Sequence, residues 1–207
     1  MVLAAAGKGF CAGHDLKEIR ELREQPKIAE LFSKCSKMMM SIQGLPQPVI
    51  AKVQGAAAAA GCQLVAQCDL AVAVDTAKFV TSGVTWGFFC STPGVAIGRN
   101  LQRKHAMEML LTGEPIGAQR ALEWALVNRV VAVDALESET LSLATVLAAK
   151  PPATVAAGKR AFYRQMDMDL PGAYALAGDV IASSFAHDEG KDGMAAFIDK
   201  RLPPGKK

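Results

Sequence analysis

Two stretches carry the residues best suited to chemistry: "GFCAGHDLKEI", residues 9–19, and "QGAAAAAGCQL", residues 54–64. Each leads from an apolar run through small residues into a segment of helix-forming composition. A chain that turns into a helix in this way leaves backbone N–H groups without acceptors at the positive end of the helix, where an oxygen anion can be held. Two such junctions together make an oxyanion hole. The small side chains let a ligand come close to the main chain. The plainer use of the same alanines is to pack a helix tightly against a sheet, and one junction alone favours that use.

Side chains that could take or give a proton are few here. His14 is a lone imidazole at the first junction, and Gln63 closes the second with an amide. An amide can position a water but cannot accept its proton at neutral pH. Asp15 and Asp69 are the nearest carboxylates, and both stand where a helix or a strand begins. Ser82, Thr85 and Cys90 have no histidine or carboxylate at a spacing that would activate them. The three histidines and five cysteines form no CxxC or zinc-ligand pattern. The cysteines read as reduced core thiols of an intracellular protein, and the metal class falls away.

Composition narrows the rest. At 207 residues, 51% hydrophobic and 21% charged, the chain has the makeup of a globular domain with a substantial core. A net charge of +3 with dispersed basic residues, and 6% aromatic content, speak against nucleic acid as partner and leave a small anionic ligand compatible. The longest small and apolar run, residues 56–74, is interrupted by Gln63, Gln67 and Asp69, so no membrane span is expected. The opening residues have neither the Arg-rich character of a transit peptide nor a secretory pattern.

The elements that must position the junctions follow from periodicity. Residues 2–5 read as a buried strand ended by "GKG", and Asp15 caps a helix in "DLKEIRELREQ". A second helix carries Ile28, Leu31, Phe32, Cys35, Met38, Met39 and Ile42 at spacings of three and four, so its methionines are expected in the core. "VIAKVQG", "DLAVAV" and "KFVT" are strands, the last two on either side of the turn "DTA". The alanine stretch is expected to be a tight loop entering a helix, and "VTWGFFCSTPG" a loop. From Lys104 the pattern is mostly helical, interrupted by the strand "RVVAV". The whole is α/β first and all-helical after.

"FCAGHDL", "VQGAAAAAGCQLVAQCDLAVA", "AMEMLLTGEPIGAQRALEWALVNRVV" and "FAHDEGKDGMAAFIDKR" resemble the crotonase (enoyl-CoA hydratase/isomerase) family, in order and over essentially the whole chain. The resemblance implies a crotonase-like ββα spiral core over residues 1–135 and a helical oligomerisation region over residues 136–207. It implies an acyl-CoA thioester as ligand, no cofactor beyond the coenzyme A of the substrate, homotrimers or paired trimers, fatty acid metabolism and a mitochondrial location. The two oxyanion donors fall on the backbone N–H groups of His14 and Ala60, and His14, Asp15, Leu16, Lys17 and Ala60 fall against the substrate. Lys200 and Arg201 are candidates for reaching a phosphate, of this subunit or a neighbouring one, with an ordinary exposed basic tail as the plainer reading.

The chain departs from the family pattern at three places. The two glutamates that hold and activate water in hydratases fall on Gln63 and Gly83, neither of which supplies a carboxylate. Ordinary hydration is therefore expected to be severely impaired, with glutamate restored at both positions raising any residual rate, and a non-catalytic acyl-CoA binder or a regulatory or defective subunit is the alternative reading. Family members usually have glycine at Ala59 and Ala60, and the methyl groups matter if the loop needs positive φ. The strand leading into "FCAGHD" starts at Val2, where the family has further strands and a helix before it, so the chain is expected to be an N-terminally incomplete form with an exposed sheet edge.

Overall fold

The structure, a computed structural model, describes residues 1–202. It divides into two compact units: Met1–Ile42 with Val49–Ser142, and Gln43–Pro48 with the segment from Leu143 onward. The expected division after residue 135 falls just before the helix in which the first unit ends.

The first unit begins with β1 (Val2–Leu3), α1 (Leu16–Leu22) and α2 (Gln25–Gly44). It continues with β2 (Ile50–Val53), β3 (Ala57–Ala58), α3 (Ala60–Gln67), β4 (Leu70–Val74) and β5 (Lys78–Val80). After a 3-10 turn at Ser82–Trp86 come α4 (Ser91–Asn100), α5 (Arg103–Thr112), β6 (Ile116–Gly117), α6 (Ala118–Glu123), β7 (Arg129–Val131) and α7 (Leu136–Ala148). Among the described residues the strands form a parallel sheet in the order β1-β2-β4-β7 and a second sheet in the order β3-β5-β6, with β3 parallel and β6 antiparallel to β5.

The central strands of the parallel sheet are apolar along both faces, as burial on both sides requires. Ile50, Ala51 and Val53 of β2 and Val72, Ala73 and Val74 of β4 have no exposed surface. Lys52 is the exception in β2, and its ammonium pairs with the Glu137 carboxylate at the start of α7. Asp69 Oδ2 accepts the N–H of Val49 at 2.7 Å, which joins the entries to β2 and β4. Thr81 is fully buried, and its hydroxyl donates to the Met109 carbonyl at 2.8 Å, anchoring α5 beneath the end of β5.

Several elements differ from what periodicity suggests. The 2–5 run is a two-residue strand at the sheet edge, half-buried where a buried strand was expected, because it has one neighbour only. The turn "DTA" does not keep its two strands together; it carries the chain from the parallel sheet into the second one. The methionine cluster is core at Met39 alone, with Met38 and Met40 exposed. The alanine stretch is not all loop, since Ala57 and Ala58 pair with Phe79 and Val80. "CSTPG" opens a helix instead of a loop, because Pro93 falls in the first turn, where no N–H is missed. Asn100 then ties that helix to α3, donating to the carbonyls of Ala66 and Ala96 at 2.8 Å each.

In the second unit α8 (Pro152–Gln165) packs against α9 (Leu170–Ala186), and α9 against α10 (Asp188–Ile198). Thr154, in the first turn of α8, donates from its backbone N–H and its hydroxyl to Glu189 at 3.3 and 3.1 Å. Asp169 caps α9 by accepting from Gly172 N–H. Arg201 pairs with Asp199 at 3.0 Å. Among the described residues no helix is long and apolar enough to cross a membrane, and no group of three His, Cys, Asp or Glu side chains could hold a metal ion.

Replacing Thr81 by valine keeps the volume and removes the hydroxyl, leaving Met109 with a buried carbonyl that has lost one donor. The expected cost is about 1 kcal/mol in urea denaturation, and an unchanged midpoint would mean the bond contributes nothing to stability.

Candidate functional site

The two junctions singled out in the sequence meet along a seam of main chain. Phe10 and Cys11 N–H both donate to the Ala56 carbonyl, at 2.9 and 3.2 Å, and Ala58 N–H returns a bond to the Cys11 carbonyl at 2.8 Å. Gln54 reaches across before the seam begins, its amide nitrogen donating to the carbonyls of Ala5, Gly7 and Gly9. Gly13, at φ +92, adopts a conformation that side chains disfavour. A Cβ there would also lie 3.1 Å from the Ala58 carbonyl oxygen and 3.2 Å from Ala60 N. On the other side a Cβ on Gly61 would overlap the Cys11 carbonyl. Only glycine lets the two segments approach this closely.

The residue after each tight contact is left with a spare donor. Ala58 N–H and Ala59 N–H are used, the latter by the Val80 carbonyl at 2.8 Å. Ala60 opens α3 and Gln63 N–H is the first to bond back, to the Ala59 carbonyl at 3.0 Å. Neither Ala60 N–H nor His14 N–H has an acceptor among the described residues. These two groups border a cleft of 170 Å³, which Ala58, Ala59, Ala60 and His14 line from one side. Gly83, Trp86, Phe88, Phe89 and Cys90 line it from the other.

Sequence reasoning placed His14, Leu16, Ala60 and Gly83 together, and all four line this cleft. Asp15 and Lys17 lie outside it. Asp15 serves as the helix cap, accepting Lys17 N–H at 2.8 Å, and both side chains are exposed. Gln63 is also outside: it is buried, and its side-chain oxygen has no hydrogen-bond partner. The His14 ring leans on Phe32 of α2, with centroids 4.9 Å apart at a 57° tilt. Helical spacing groups Phe32 with Ile28, Leu31 and Cys35, and nothing in that spacing distinguishes a core aromatic from one at the mouth of a cleft.

The acid–base inventory of the cleft is short. No Asp, Glu, Lys or Arg is among its lining residues, which leaves His14 and Cys90 as its titratable side chains. Beneath it, burial pushes the Cys62 thiol up to about 12, the neighbouring Cys90 adding to the shift, so Cys62 is no nucleophile at neutral pH. None of the five cysteines forms a disulfide. At Gly83 the expectation that a restored glutamate would help meets an obstacle. A Cβ there would stand 2.6 Å from the Phe88 carbonyl oxygen and 2.8 Å from Cys90 Sγ. The Phe88 carbonyl, drawn in by the bond from Phe88 N–H to the Gly83 carbonyl at 3.1 Å, and the Cys90 side chain occupy the space a side chain needs.

Two spare backbone donors at the edge of one cleft, on turns that lead from strands into helices, are carried by an α/β fold that defines the class of protein. The family model described as Enoyl-CoA hydratase/isomerase matches residues 1–207. Enoyl-CoA hydratase domain-containing protein 3, mitochondrial, of Mus musculus is 47% identical over 203 residues, which span 98% of this chain and 68% of that protein. The Homo sapiens protein of the same name is 48% identical over 98% of this chain and 67% of its own length. Its crystal structure superimposes with a TM-score of 0.93 over 98% of this chain and 80% of that one. A crystal structure of an enoyl-CoA hydratase from Mycobacterium smegmatis, 52% identical, gives 0.96 over 98% of this chain and 79% of that one. The chain belongs to the enoyl-CoA hydratase/isomerase (crotonase) family.

Ala59 sits at φ 49, ψ −114, a region glycine enters without penalty and alanine does not. Ala59→Gly relieves strain of about 1–3 kcal/mol against a glycine entropy cost of about 0.5–1 kcal/mol. A net gain of about 1 kcal/mol in chemical denaturation is the expected outcome, and a net loss would show that the alanine is unstrained.

Proposed function

We propose that this chain binds acyl-CoA thioesters with the thioester oxygen between the backbone N–H groups of His14 and Ala60, and that it lacks hydratase chemistry. The observation that carries the reading is a cleft with two spare backbone donors and no carboxylate in its lining. Hydration of an enoyl thioester needs a group that takes a proton from water, and such groups typically contribute about 10²- to 10⁴-fold. Gln63 and Gly83, the positions that correspond to the hydratase glutamates by resemblance, supply none. Oxyanion donors act on a different part of the reaction. Each is worth about 2.7–4 kcal/mol toward an enolate oxygen, so turnover is confined to steps that need charge stabilisation alone, such as loss of carbon dioxide from a carboxyacyl thioester.

Lys17, exposed in the first turn of α1, is suited to a phosphate of coenzyme A, as is a solvated lysine generally. The names of the Mus musculus and Homo sapiens relatives support a mitochondrial location, and membership of the enoyl-CoA hydratase/isomerase family supports a role in fatty acid metabolism. In the second unit Leu170, Tyr174, Ile181 and Phe185 lie along one face of α9, each more than half exposed, and Phe197 and Ile198 extend the apolar surface on α10. Association of copies through these helices, as trimers or paired trimers, is the most economical way to cover it.

Three measurements test these readings. His14→Ala keeps the backbone donor and should leave acyl-CoA affinity nearly unchanged, whereas Ala60→Pro removes one and should weaken it at least tenfold; a large loss with a folded His14→Ala protein would make the imidazole the active group. The parent protein should hydrate trans-2-butenoyl-CoA at least about 10²-fold more slowly than a hydratase with both glutamates. For assembly, light scattering at micromolar concentration should report an oligomer, and a folded monomer there would contradict the covering of α9.

A further inference from the structure

Cys90 has no activating partner at a revealing spacing in the sequence, yet the fold brings its thiol into one cleft with His14 and the two spare donors. It is the N-cap residue of α4, but its side chain makes no capping hydrogen bond, and it is only 6% exposed. A Cβ on Gly83 would stand 2.8 Å from its sulfur, so the thiol fills the place where a side chain of residue 83 would begin. That place belongs to the wall opposite His14 and Ala60. The neighbouring Cys62 lies outside the lining, which leaves Cys90 as the sulfur that a ligand in the cleft meets.

A nucleophile on one wall and oxyanion donors on the other suit a substrate that carries charge between them. In a 2-enoyl thioester, attack at the β-carbon sends an electron pair through the conjugated bonds to the thioester oxygen. Water needs a base before it can make that attack, and the cleft holds no carboxylate. A cysteine thiol needs less help, being intrinsically the stronger nucleophile at neutral pH. Resting on the placement of the thioester oxygen between the N–H groups of His14 and Ala60, we propose that Cys90 is a covalent capture site for 2-enoyl-CoA thioesters, its sulfur adding to their β-carbon. The S–H bond and the π bond between the α- and β-carbons break, and a C–S bond forms. The electron pair rests on the thioester oxygen as an enolate, where the two backbone donors hold it, and the proton lost by sulfur ends on the α-carbon. No water, oxidant or metal enters the sum. The product is a thioether that keeps its coenzyme A, one per chain, so the step is capture and not turnover.

Intact-mass spectrometry of the protein, quenched with acid after incubation with trans-2-butenoyl-CoA, reads the adduct directly. The expected result is a gain of one whole butenoyl-CoA per chain, mapped to Cys90 by peptide sequencing, and no gain with butanoyl-CoA. With each variant shown to be folded by circular dichroism, Cys90→Ser should lose the adduct, Cys35→Ser should keep it, and Ala60→Pro at saturating thioester should form it at least tenfold more slowly. A gain of the acyl group alone, with either thioester, would mean exchange at the carbonyl carbon and would overturn the addition; so would an adduct mapped to Cys11 or Cys35. Calorimetric titration separates the remaining outcomes. Butenoyl-CoA that binds more tightly than free coenzyme A and leaves the mass unchanged would overturn capture at Cys90 with thioester binding intact. Thioesters that leave the mass unchanged and bind no better than free coenzyme A would overturn both.

Discussion

The structure depends on one contact in which main chain meets main chain with nothing between. The segment at Cys11 lies on Ala56, Ala57 and Ala58 through three hydrogen bonds, and Gly13 and Gly61 close the contact from either side. Each bond is worth about 1 kcal/mol net, so their strength is modest; what matters is that the two turns are held at backbone distance. The chain then enters α1 and α3, and the free N–H groups of His14, just before the α1 cap, and of Ala60, first in α3, fall at the edge of the same cleft. The glycines answer to this requirement, since a Cβ on Gly61 would overlap the Cys11 carbonyl and one on Gly13 would crowd Ala58 and Ala60.

Gln54 shows how the requirement is met from a distance. Its amide spans three carbonyls of the loop that precedes Phe10, so the loop enters the seam already ordered. Thr81 and Asn100 do the same for the opposite wall, one tying the end of β5 to α5 and the other α4 to α3. The walls of the cleft are thus held by polar side chains bonded to backbone, while the cleft itself has no Asp, Glu, Lys or Arg in its lining.

Much of this was legible from sequence because the core strands announce themselves. "VIAKV" and "LAVAV" are short apolar runs bounded by turn residues, and the two strand-to-helix junctions share their small residues openly. α4 was not legible, because Pro93, Gly94 and Gly98 are breakers in any local reading, and only its docking on α3 makes it a helix. The same limit applies to Met38, Met39 and Met40. Helical spacing says they share a neighbourhood, but the tertiary partner that buries one of them and not the others lies far away in the chain. At Gly83 the sequence shows a missing side chain, whereas the structure shows that the neighbouring loop has taken its volume. A missing group and a filled space differ in what a single substitution can restore.

The spare donors at His14 and Ala60 belong to the peptide backbone, and that gives the pocket an unusual relation to mutation. A site made of side chains is lost when one codon changes. A peptide N–H survives replacement of its own side chain by anything but proline so long as the new side chain fits, a condition that is stricter at the buried Ala60 than at the half-buried His14. Side-chain chemistry and backbone donors are therefore inherited separately in such a scaffold: side chains around the cleft can change by substitution while the free N–H groups of His14 and Ala60 stay where the turns put them.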